Sequence, residues 1–110
     1  MKRKLEAACF SIVSAITAIE AGVDRIEFCA DYNAGGITPT LSDFEKVKTA
    51  AGTIPVYVMI RPRTGSFQYS MNELLQMKSD IDRFKHIGAD GFVFGVLTHT
   101  LEVDIPVCSL

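Results

Sequence analysis

Thiols and guanidinium groups are the side chains in this sequence best suited to chemistry. Cys9 and Cys29 each close a short apolar run, and soft thiolates select Cu(I) from the available metal ions. A lone strand cysteine equally serves as a small buried hydrophobe, so both readings stand. Strand alternation also sends the two thiols to opposite faces. Cys108 makes the cysteine count odd and no CxxC spacing is present. Reduced thiols in a cytosolic compartment are therefore expected, and a disulfide scaffold is not. Met59 offers a thioether, with core packing as its alternative. His86 and His99 lack a partner at ligand or nucleophile spacing.

Arg61-Pro62-Arg63 places two guanidinium groups at a strand end, an arrangement that suits bidentate recognition of a carboxylate or phosphate. The alternative is that Arg61 pairs internally with Glu6 or Glu27 while Arg63 is solvated. Gly35-Gly36-Ile37-Thr38-Pro39 either presents backbone N–H groups to an anion or forms an ordinary Gly-Gly turn. Asp24 and Asp90 stand where strands begin and read as turn residues.

These side chains need a scaffold, and the hydrophobic period supplies one. Leu5–Phe10, Arg25–Ala30, Pro55–Arg61 and Gly91–Leu97 read as strands rich in Val, Ile, Phe and Tyr. A helix over about Ser11–Ala21 aligns Ile12, Ala15, Ile16 and Ile19 and stops at Gly22. A second opens with the capping-box spacing Ser42-x-x-Glu45 and ends at Gly52. A third opens with Ser70-x-x-Glu73, buries Leu74, Met77, Ile81 and Phe84, and ends at Gly88. Strands linked by crossover helices run parallel, which leaves an open doubly wound sheet or part of a (β/α)8 barrel. Alternation puts Glu6, Arg25, Glu27 and Arg61 on one common face. A charged face suits a barrel interior better than a flat sheet covered on both sides.

Composition narrows the partners. Of 110 residues, 48% are hydrophobic and 22% charged, with a formal net charge of -2. That is one globular domain without the basic field that nucleic acid binding demands. No apolar run approaches a membrane span. Lys2-Arg3-Lys4 ahead of the uncharged Ala7–Ile19 run superficially resembles a secretory signal. Glu6 interrupts that pattern, and the strand and helix account for the same residues better.

The ordered motifs Leu5-Glu6, Cys9-Phe10, Ala21-Gly22-Val23-Asp24-Arg25-Ile26-Glu27-Phe28-Cys29-Ala30, Gly35-Gly36-Ile37-Thr38-Pro39, Met59-Ile60-Arg61-Pro62-Arg63, Phe67, Tyr69-Ser70 and Gly91–Thr98 resemble the CutC copper homeostasis family. The resemblance implies a cytoplasmic TIM-type barrel linked to copper, with Cu(I) held by Cys9 and Cys29. It also implies a polar interior built from Glu6, Arg25, Glu27, Arg61 and Arg63, which alternatively would hold a small anionic metabolite. Ala8-Cys9 stands where some members carry Cys-Cys. Thr64-Gly65-Ser66-Phe67 replaces the usual GGDF, which puts the loop geometry in question because threonine tolerates positive φ poorly. A closed barrel needs about 250 residues. These 110 residues are therefore expected to be its N-terminal half, four strands and three helices, with exposed edges that favour self-association.

Overall fold

The computed structural model describes residues 4–66 and 68–94. Four strands, β1 (Glu6–Cys9), β2 (Arg25–Phe28), β3 (Val56–Met59) and β4 (Gly91–Val93), alternate with α1 (Ile12–Glu20), α2 (Leu41–Ala51) and α3 (Met71–His86). A short 3-10 turn covers Tyr32–Ala34. The sheet is parallel throughout, in the order β1-β2-β3-β4. Right-handed crossovers in an order that never reverses put every helix on the same face. A doubly wound sheet needs a reversal, so strand order selects the barrel segment. The expected strand extension through Leu97, together with His99 and Cys108, lies outside the described residues.

The face under the helices is dry. Ile26, Phe28, Val56 and Val58 are buried there, against Ala15 of α1, Phe44, Val47 and Ala51 of α2, and Met77 and Phe84 of α3. Phe44 and Phe84 meet edge to face, with centroids 5.5 Å apart. Each large apolar side chain buried this way contributes roughly 1.5–3 kcal/mol. Ile16, expected on the buried stripe of α1, is exposed. Ala15 takes the contact instead, and Ile12 and Ile19 are partly buried.

Helix ends follow local hydrogen-bond chemistry. Ser70 and Glu73 form the expected capping box of α3. Ser11 and Ser14 form one at α1. α2 begins one residue before Ser42: the Thr40 side chain caps it by accepting the Asp43 N–H at 3.1 Å. The earlier start seats Phe44, Val47 and Ala51 in the core, and Ser42 lies exposed within the first turn.

Asp24 and Asp90 fasten the strands. Asp24 Oδ2 accepts the Leu5 N–H at 2.7 Å and returns its own N–H to Leu5 O at 2.8 Å. Asp90 repeats the exchange with Val56, at 2.8 and 3.1 Å, and also pairs with Lys48 at 2.6 Å. Burial pushes the Asp90 carboxyl up, but Lys48 and the Val56 amide outweigh it and hold the pKa below the ordinary aspartate value. Asp90→Ala should cost about 1–3 kcal/mol in urea denaturation at neutral pH. A depressed carboxyl pKa stabilises the fold above the unfolded value and loses that contribution as pH falls through the folded one. The two proteins' stabilities should therefore converge in acid.

Candidate functional site

Alternation leaves Glu6, Ala8, Arg25, Glu27, Tyr57, Met59, Gly91 and Val93 on the helix-free face. The register places Glu6 opposite Arg25, Ala8 opposite Glu27, Glu27 opposite Tyr57, and Tyr57 opposite Gly91. Glu6 and Arg25 form an ion pair, and the Arg25 guanidinium lies over the Tyr57 ring at 4.2 Å. Tyr57 occupies space that only glycine leaves open, since a Cβ on Gly91 would fall 2.4 Å from the ring. Glu27, in the next row, has no hydrogen-bond or ion-pair partner for its carboxylate among the described residues. The charged face read from the sequence thus exists, and Tyr57 and Gly91 complete it. The role of Gly91 is set by Tyr57 across the ladder, which its residue type alone does not reveal.

The two arginines serve loops. Arg61 lies beyond the end of β3, and its backbone exchanges bonds with Thr38: the Thr38 N–H reaches Arg61 O at 3.0 Å and the Arg61 N–H reaches Thr38 Oγ1 at 2.9 Å. Its guanidinium donates to Gly36 O at 3.3 Å and Gly65 O at 3.1 Å, which sews the loop after β2 to the loop after β3. The internal pairing that the sequence left open for Arg61 is met at least by these two carbonyls. Arg63 commits all five N–H donors: Nε to Glu73 at 2.5 Å, Nη1 to Thr64 O and Ser66 O, and Nη2 to Gln68 O and Glu73. The side chain stays 38% exposed, but its donors are spent within the loop and on Glu73. Glu73 is held below the ordinary carboxylate range by the Ser70 backbone N–H and by Arg63, against opposing burial.

Gly35 and Gly36 form a turn rather than an anion cradle. Their N–H groups are spent on Tyr32 O at 3.0 Å and Asp31 O at 3.1 Å. Within the loop after β3, positive φ falls on Gly65 and not on Thr64, so threonine is accommodated there without strain.

Cys9 and Cys29 lie at the carboxyl ends of neighbouring strands, joined by a Cys29 N–H to Cys9 O bond of 2.9 Å. They are 2% and 1% exposed. Cys9 belongs to the helix-side core, whereas Cys29 follows the last residue of β2, where alternation no longer dictates direction. Burial raises the Cys9 thiol pKa. Burial, helped by Glu27 and Cys9, pushes Cys29 up to about 12. The two sulfurs are thus close enough to feel each other's charge. Each leans on a carbonyl of its own strand, Ala7 O at 3.7 Å and Glu27 O at 3.9 Å. Met59 packs where a Cβ on Gly36 would meet its sulfur at 3.0 Å and Phe10 at 3.1 Å, the packing role open to it from sequence. Among the described residues no three His, Cys, Asp or Glu side chains gather as a metal cluster, and no helix is long and apolar enough to cross a membrane.

The sequence model of the CutC family matches residues 3–110. The chain belongs to the CutC family. A human relative named copper homeostasis protein cutC homolog is 45% identical over 104 residues, which are 94% of this chain and 38% of that protein. A CutC family protein of Photorhabdus laumondii is 43% identical over 94% of this chain and 41% of its own length. A crystal structure of a CutC protein from Streptococcus agalactiae superposes with a TM-score of 0.89 at 29% identity, covering 98% of this chain and 52% of that one. The chain thus spans about two fifths of those CutC relatives and has the fold of half of a TIM-type barrel.

In this CutC chain the Arg63 hub is geometric as well as electrostatic. Arg63→Lys keeps the charge but cannot serve acceptors spread around a planar fork. It should lower stability by about 1–3 kcal/mol. The expected accompaniment in chemical denaturation and amide exchange is faster exchange at residues 64–70.

Proposed function

We propose that this chain takes part in copper handling in the reducing cytoplasm and that Cys9 and Cys29 are its Cu(I) ligands. The observation that carries the reading is the placement of two reduced, buried thiols at the ends of adjacent strands, tied to each other through the backbone. Two thiolates are a soft donor set that Cu(I) accepts and harder divalent ions disfavour. The dry surroundings exclude competing water, and a bound Cu(I) would replace the two thiol protons. Membership of a family whose human relative is named for copper homeostasis points the same way. The alternative, an interior that grips an anionic metabolite through Arg61 and Arg63, has less support, because Arg63 is committed to loop carbonyls and Glu73 and Arg61 donates to the Gly36 and Gly65 carbonyls.

Anaerobic titration against a chromophoric Cu(I) chelator tests this. Cys9→Ser/Cys29→Ser should bind on the order of a hundredfold more weakly or worse, because both soft donors are gone. Unchanged affinity in the double variant would sink the assignment. Both thiol pKa values are raised, so protons compete with the metal near neutrality and apparent affinity must rise with pH. The slope should be about a hundredfold per pH unit for two displaced protons and about tenfold for one. A flat profile would exclude thiolate ligation.

A further inference from the structure

Sulfur stands at the carboxyl ends of three neighbouring strands. Cys9 closes β1, Cys29 follows β2, and Met59 closes β3. The pairing of Phe28 with Val58 makes Cys29 and Met59 the next residues along their two strands, and the Cys29 N–H ties back to Cys9 O at 2.9 Å.

Beyond this row β2 and β3 part. Ala30 and Ile37 exchange bonds of 2.9 Å in both directions, and Arg61 and Thr38 exchange bonds of their own, so residues 36–38 enter between the strand ends. Cys29 and Met59 are the last residues before that fork. Cys29 is 1% exposed and lies outside the helix-side cluster that takes in Cys9. Met59 is half-buried, the most exposed of the three.

The thioether sulfur is held in a defined place. Gly36 has a φ of 95°, and a Cβ on it would lie 3.0 Å from the Met59 Sδ and 3.5 Å from its Cε. Phe10 walls the same space and is braced edge to face by Tyr32, with centroids 5.2 Å apart. The sulfur therefore lies beside the residue that follows Cys9, while the Met59 backbone stands beside Cys29. Several apolar side chains could fill such a gap, but only methionine brings a polarisable sulfur to it.

Resting on the two-thiol reading above, we infer that Met59 is a further soft ligand of the same Cu(I). Thioether sulfur is among the donors that Cu(I) selects. It also suits the surroundings. A third thiolate or a carboxylate would add charge to a dry site, which is costly, whereas a neutral sulfur adds none. As the most exposed of the three residues, Met59 is the one an incoming ion meets first.

Replacing methionine by selenomethionine reads the contact directly. Selenium-edge X-ray absorption on the Cu(I)-loaded chain should show copper at bonding distance from one of the four selenium atoms. That signal should vanish in Met59→Leu and persist in Met71→Leu, since Met71 lies 70% exposed on α3. Met59→Leu nearly conserves volume, so it should fold, and in anaerobic chelator competition it should bind Cu(I) about tenfold more weakly or worse. A copper-loaded wild type whose selenium has no copper neighbour overturns the inference, as does a folded Met59→Leu protein of unchanged affinity. Either result leaves the thiols as ligands if Cys9→Ser/Cys29→Ser still loses the metal. If instead the double cysteine variant keeps both its affinity and the selenium–copper contact, the thiol assignment fails and Met59 stands. A wild-type chain that binds no Cu(I) overturns both. If Met59→Leu fails to fold, the wild-type selenium spectrum decides.

Discussion

Everything on this sheet depends on where the strands start relative to one another. Asp24 and Asp90 set that start by taking the first amide of the preceding strand and returning their own. Because side chains alternate with period two, a slip by one residue would send Arg25 and Glu27 into the helix-side core and Ile26 and Phe28 to the other face. The cost of burying two charges without partners far exceeds that of any single contact here. A short hydrogen-bonded exchange at the strand's amino end therefore protects the distinction between a dry face and a polar one. The junction before β3 reads Gly52-Thr53-Ile54-Pro55, with Ile54 where the other two carry aspartate. There the Ile26 N–H goes to Pro55 O at 3.0 Å, with no carboxylate involved, so the clamp recurs at alternate joints.

Much of this was legible because the relevant signals are local. Period, capping residues and glycine stops located the four strands and three α-helices but not the 3-10 turn at Tyr32–Ala34, and alternation identified the polar face with Glu6, Arg25 and Glu27 on it. What escaped depends on partners distant in sequence. Two caps were available for α2, and the choice of Thr40 over Ser42 was settled by which start buries Phe44 and Val47. The donors of Arg63 meet carbonyls of Thr64, Ser66 and Gln68, and carbonyl direction cannot be read from residue type. Tyr57 and Gly91 matter to each other only across the register between β3 and β4.

The loops at the carboxyl end show how charged side chains can stabilise a fold through backbone carbonyls. Arg61 and Arg63 stand where parallel α/β proteins bind their ligands, and both turn inward to backbone carbonyls. Guanidinium is suited to that task, since its planar fork satisfies several acceptors that would otherwise face a poorly hydrated crevice. Such bonds tie Thr64, Ser66 and Gln68 to Arg63, and Glu73 serves both the cap of α3 and the Arg63 hub. Removing the arginine would therefore loosen a loop and a helix end together.

The thiols present the opposite electrostatic problem. In the proposed site, exchanging two protons for one Cu(I) would turn a neutral pair into a site of charge minus one, and a dry setting resists that charge. α1 begins at Ile12, three residues after Cys9, with no acidic residue in its first turn. The positive end of its dipole is thus not cancelled by a local carboxylate, and it favours negative charge on the Cys9 side. Cys29 has no such help and feels Glu27 instead. The two thiols thus sit in unequal settings, Cys9 beside a helix start and Cys29 beside Glu27, and in the proposed site the charge of the metal would have to compensate Cys29 more than Cys9.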